Sequence, residues 1–148
     1  MRWITIGVLL TLVVSSSSAY AQDRSPPADA SGKGPVLCVW GIYQLIDQHT
    51  RKCGWVHNAV DSAVEAGIAK MDAFIIENSS TPVSQQTLDE KKLTFASQVP
   101  DNACAFKPGD GSFTSMIWGM RQGDPATVTS DIAELLSVPR EPLMNPCL

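Results

Sequence analysis

Apolar residues recur at helical spacing most clearly in one stretch. Val60, Val64, Ile68, Met71 and Ile75 stand three or four positions apart, which places them on one side of a helix at about 100° per residue. The spacing predicts a helix from about His57 to Glu77. Phe74 flanks the stripe, and Ala59, Ala66, Ala69 and Ala73 form a second arc of small side chains. Two packable faces imply a central helix with neighbours on both sides. Gly67 in its middle costs about 1 kcal/mol relative to alanine. It borders the apolar stripe, so close packing is its simplest explanation.

The other elements are less regular. From Val36 to Ile46 nearly every position is apolar, so periodicity does not separate a buried helix from a buried strand. Length and the polar side formed by Gln44, Asp47 and Gln48 predict a helix; the β-branched and aromatic content leaves an α+β fold with a short strand at 36–43 as the alternative. Gly54 reads as a C-cap or turn residue. Pro82 to Ala96 predicts a polar, weakly amphipathic helix outside the core. It is capped by Thr81 with Pro82 first, or entered through a Thr87–Glu90 capping box. "FTSMIWGMR" is a short apolar piece of one or two turns. Asp124 caps a final helix that Pro125 opens, with Val128, Ile132, Leu135 and Leu136 as its core stripe. The expected fold is all-α: a small disulfide-stapled domain of about four helices, residues 35–148.

The chain opens "MRWITIGVLLTLVVSSSSAYAQD". One positive charge, an apolar run and Ala19-Tyr20-Ala21 predict a secretory signal peptide over residues 1–21, cut before Gln22. The run is about half of the roughly 20 residues that span a bilayer. After cleavage no transmembrane segment is expected. Residues 22–34, rich in Pro, Gly and Ser, read as a flexible leader. Localisation is then secreted or periplasmic.

The formal charge is −4, and removing Arg2 takes it to −5. The charges are dispersed, with no basic cluster beyond Arg51-Lys52 and Lys91-Lys92, which argues against nucleic acid and anionic membrane surfaces as partners. Four cysteines in an exported chain imply two disulfides. None of the gaps suits a C-x2-C zinc site or a C-x-x-C-H haem site. Geometry selects the pairing. If 36–49 is one helix, Cys38 and Cys53 lie roughly 20 Å apart, beyond the roughly 7 Å reach of a bridge. Two antiparallel helices after Cys53 bring Cys104 back beside it, which favours Cys53–Cys104 and leaves Cys38–Cys147.

His49 and His57 are the only histidines. His57, Asp61 and Glu65 are spaced i, i+4, i+8, with Asp72 on the same side, and form the one weak candidate for a metal or an acid–base set. A solvated acidic face is the simpler reading. "KPGDGS" (107–112) has glycines but not the order of a P-loop, and reads as a turn. Asn78-Ser79-Ser80 matches a glycosylation sequon. Trp40, Trp55 and Trp118 are expected to fill core volume; Trp55, in the turn "CGWVH", is the candidate for partner contact.

No nucleophile or cofactor motif is present, so no cofactor is expected. Small exported α-helical domains tied by disulfides include periplasmic inhibitors, immunity-type proteins and acid-stress chaperones, and this chain resembles them in type alone. The leading expectation is a non-enzymatic protein that binds another exported protein or an envelope component. The alternative is a small-ligand or metal-binding protein, or a hydrolase, using His57 or His49 with nearby carboxylates. A deep pocket holding His57, Asp61 and a tryptophan would discard the first reading. Both histidines on the surface, away from any cleft, would discard the second.

Overall fold

The computed structural model describes residues 27–147. They form five helices: α1 (Val36–Lys52), α2 (Ala59–Asn78), α3 (Gln85–Gln98), α4 (Phe113–Met120) and α5 (Pro125–Leu135). The 36–43 segment belongs to α1, and no strand is present among the described residues beyond an isolated bridge between Ala28 and Asn145. The fold is the all-α, disulfide-stapled domain expected. The fifth helix is the short apolar piece at 113–120, which makes about two full turns. The signal-peptide segment lies outside the described residues.

α2 is central, flanked by α1 and α5. Asn58 starts it with a capping box: its side chain accepts from the Asp61 amide at 3.0 Å, and the Asp61 carboxylate accepts from the Asn58 amide at 2.9 Å. Val60, Val64, Ile68, Met71 and Ile75 are all buried, together with Val36, Trp40 and Ile46 of α1, Ile117 of α4 and Leu135 of α5. Gly67 lies where Ile132 of α5 crosses. A Cβ there would fall 2.1 Å from Ile132 Cδ1 and 3.4 Å from the Tyr43 ring. The glycine is therefore a close-packing position.

α3 sits outside, with Leu88 its one buried residue and the Phe95 ring edge-on to Trp40 at 5.6 Å. Its start differs from both expected caps. Ser84 has extended backbone, and its hydroxyl accepts from the Thr87 amide at 3.2 Å, so neither Thr81 nor Thr87 is the cap. Beneath α3, buried Asp72 accepts from Trp40 Nε1 at 2.7 Å and from Lys92 Nζ at 2.6 Å. That carboxylate is a structural acceptor, remote in role from the His57 face.

The two disulfides are Cys38–Cys147 and Cys53–Cys104, with Cα atoms 5.4 and 5.3 Å apart. α1 continues to Lys52, so Cys38 and Cys53 stand at its opposite ends and cannot pair. The tail is also held by backbone: Leu37 N–H, one of the unpaired donors of the first turn of α1, donates to Leu143 C=O at 3.0 Å. Arg140 ties the later part of the leader to the tail. It donates to Asp29 at 2.7 Å, to the Gly34 carbonyl at 2.6 Å and to the Leu135 carbonyl at 2.8 Å. Among the described residues no helix is long and apolar enough to cross a membrane.

Candidate functional site

Trp55, His57, Asp61 and Glu65 gather around the start of α2, and Asp61 is turned inward. Asp61, fixed by the capping box, meets Arg121, the C-cap residue of α4. The guanidinium donates through Nε at 2.7 Å and Nη2 at 2.5 Å. Nη2 also donates to the Val56 carbonyl at 2.9 Å, and Asn58 Nδ2 donates to the Arg121 carbonyl at 3.1 Å. Trp55 and Trp118 cover the cation, their ring centres 4.9 and 5.4 Å from Arg121 Cζ. The two indoles stand edge to face at 5.1 Å, and Phe106 completes the aromatic group. Trp55 is thus a half-buried lid on an ion pair. Burial opposes the charge on Asp61, but the Arg121 hydrogen bonds, the Asn58 amide and the positive charge of Arg121 outweigh it and hold the carboxyl below its ordinary value.

On the solvent side of Trp55 lies an open cleft of about 280 Å³, lined by Thr50, Arg51, Trp55, His57, Asp61 and Glu65. His57 Nε2 is 3.4 Å from Glu65 Oε2, and Arg51 bridges Glu65 at 3.0 Å and Asp47 at 2.8 Å. Of the i, i+4, i+8 set, His57 and Glu65 meet at the surface while Asp61 is engaged by Arg121. Among the described residues no group of three or more His, Cys, Asp or Glu side chains is placed to hold a metal ion. The cleft falls at or below the lower end of small-molecule sites, about 300–1,000 Å³.

His49 is elsewhere and buried. Its Nδ1 lies 2.8 Å from the Leu45 carbonyl, which can only accept, so that nitrogen carries the proton. Nε2 is buried without a hydrogen-bond partner, and the ring packs edge-on to Phe113 at 5.7 Å. The 107–112 turn is self-contained. Asp110 accepts from the Lys107 and Ser112 amides, each at 2.8 Å, and Gly109 N–H donates to Ser115 at 2.7 Å. Asp110 N–H also donates to Lys107 C=O at 3.1 Å, so four of its backbone donors are already used. Asn78 of the sequon donates to the Phe74 carbonyl at 2.9 Å.

A second feature escaped the sequence reading. α4 turns Phe113, Met116 and Met120 outward, 51, 48 and 39% exposed, at i, i+3 and i+7. Thr114, Ser115 and Ile117 occupy its inner side. The signal was the i, i+3, i+7 spacing itself. It was masked because α4 contains no charged residue and has apolar side chains on both faces. Met120 also forms the lip of an apolar groove of about 230 Å³ floored by Ile42, Ile46, Val60 and Val64, with Val128 of α5 opposite. No family model, curated protein or solved structure matches this chain.

Proposed function

We propose that this chain is an exported, non-enzymatic binding protein that engages another exported protein or an envelope component through α4 and the adjoining groove. One observation carries the reading: Phe113, Met116 and Met120 form an exposed apolar row on a short helix held in place from behind by the Arg121–Asp61 pair and the aromatic group. Scattered exposed apolar residues need no explanation, but a contiguous row beside an apolar groove is the usual form of a contact surface. Methionine suits it, since the flexible thioether adapts to irregular partners. Two disulfides and the signal-like start support export. Cross-linking of the secreted protein to its native surroundings tests the reading. A discrete adduct should form with the wild type and be lost in Met116→Gln/Met120→Gln, with an unchanged melting curve. Equal adducts from both would sink it.

A second reading is favoured by the cleft, where His57, Asp61 and Trp55 do share one wall. There a small polar ligand would sit against Trp55 and exchange hydrogen bonds with Arg51 and Glu65. Its open form and the commitment of Asp61 to Arg121 rank it below the first. Ligand-induced thermal shifts abolished by His57→Ala but untouched by Met116→Gln/Met120→Gln would reverse that ranking.

A further inference from the structure

We infer that the occupant of the α4 groove is a cationic amphipathic helix presented by the partner. The inference rests on the binding reading above and adds the chemistry of what is bound. The groove supplies the apolar half: Met120 at its lip, Ile42 and Ile46 in its floor and Val128 on its far wall, with Met116 exposed one turn back along α4. A row spaced i, i+3, i+7 next to such a floor fits the apolar stripe of a second helix laid alongside.

The surrounding charge supplies the other half. α4 itself is uncharged, and the arginine that follows it is buried against Asp61. The far wall belongs to α5, which carries Asp131 and Glu134, is capped by Asp124 and contains no lysine or arginine. Glu134 is paired with Lys33 at 3.3 Å. Asp131 of α5 lies beside Tyr43, which lines both this groove and the neighbouring hollow that holds Asp131 and Lys33: burial raises the Tyr43 hydroxyl above its ordinary value, and the negative charge of Asp131 adds to the rise. The groove walls named here, Ile42 and Ile46 of α1 and Val60 and Val64 of α2, carry no charge. On α5 Asp124 and Asp131 stand four positions before and three after Val128, so the α5 side of the groove is acidic, and complementary charge steers and orients a partner.

Three designed 18-residue helices with one leucine stripe test this, their polar faces filled with lysine, glutamine or glutamate. They are titrated calorimetrically into the secreted, disulfide-intact protein at low and high salt. The lysine helix should bind about tenfold more tightly than the glutamine helix and the glutamate helix most weakly, with the spread collapsing at about 1 M salt. Asp124→Asn/Asp131→Asn should narrow the lysine–glutamine gap while keeping the α5 cap, since asparagine caps as well as aspartate. If the glutamine helix binds as well as the lysine one, and Met116→Gln/Met120→Gln abolishes both, the charge inference falls and the binding reading stands. If the lysine helix binds the double glutamine variant unchanged, the peptide is held by general acidity and the inference falls. If none of the three binds, the groove reading falls with it. Circular dichroism of each variant confirms that the fold is intact.

Discussion

Arg121 and Asp61, 60 positions apart, form a two-point hydrogen-bonded ion pair in which the side chains are 1% and 4% exposed. Such a pair joins the end of α4 to the start of α2, so it sets where the exposed row of α4 stands. Its net worth is small, because desolvation of both ions offsets their attraction, but losing one partner strands the other. Asp61→Asn should lower stability by about 3–5 kcal/mol in urea unfolding. Asp61→Leu/Arg121→Met should cost clearly less than the sum of the single changes, a coupling that a double-mutant cycle reads directly. Additive losses would show that the pair is not a unit.

Acid should release the same contact. Asp61 and Asp29 both titrate below their ordinary value of 3.8. At Asp29 burial opposes the charge, but hydrogen bonds from Ser31 and then Arg140 prevail. A carboxyl with a depressed folded value adds stability above its unfolded value and loses it as pH falls through the folded one. Stability should hold from pH 7 to about 5 and fall steeply below about 4. Asp29→Asn should make the fall shallower. A urea midpoint unchanged down to about pH 2 would contradict the assignment.

Gly67→Ala should destabilise even though alanine favours helix by about 1 kcal/mol. The new methyl meets Ile132 Cδ1, the end of the side chain of a residue that is 1% exposed. Overpacking of this kind costs about 1–3 kcal/mol. Ile132→Val removes that methyl, so the double variant should regain much of the loss. Thermal melting of the four proteins decides it.

Much of this was legible in the sequence, for local reasons. Val60 to Ile75 declared the central helix because apolar spacing and helix period coincide there, and Asp124-Pro125 marked the last helix by capping chemistry alone. The disulfide pairing followed from helix rise, since Cys38 and Cys53 flank an element longer than any bridge. What stayed hidden depends on tertiary contact. Asp61 looked like a surface acid because Arg121 lies 60 positions away. The sequence does not single out Ser84 over Thr81 or Thr87 as the cap, for each carries a hydroxyl oxygen that can accept a backbone N–H. Phe113, Met116 and Met120 stood in a short apolar piece with no face assigned, because an uncharged helix gives no hint of which side faces water.

Removing the outer bridge should loosen both ends together. Cys38→Ser/Cys147→Ser deletes a link closing a sequence separation of 109 residues, and loss of a native bridge in a small domain costs about 2–5 kcal/mol. Hydrogen exchange should rise at Leu37 and Asp29, whose amides donate to Leu143 and Asn145 of the tail, while the α2 core stays protected. Peptide mapping without reductant should recover Cys38 with Cys147 and Cys53 with Cys104. Exchange unchanged at Leu37 would mean that backbone bonds and Arg140 alone hold the tail.

The Cys38–Cys147 bond also decides how the domain carries mechanical load. It lies outside all but two residues of α1 and outside every other helix, and the Cys53–Cys104 loop is nested inside it. Tension between a tether before Cys38 and one after Cys147 runs through the sulfurs, and the chain between them stays slack. Only the leader contacts of Arg140 and Asp29 and the first turn of α1 would stretch. A partner that pulled on either end would find a covalent ring with an almost fixed span, its helices and the α4 row shielded from the force.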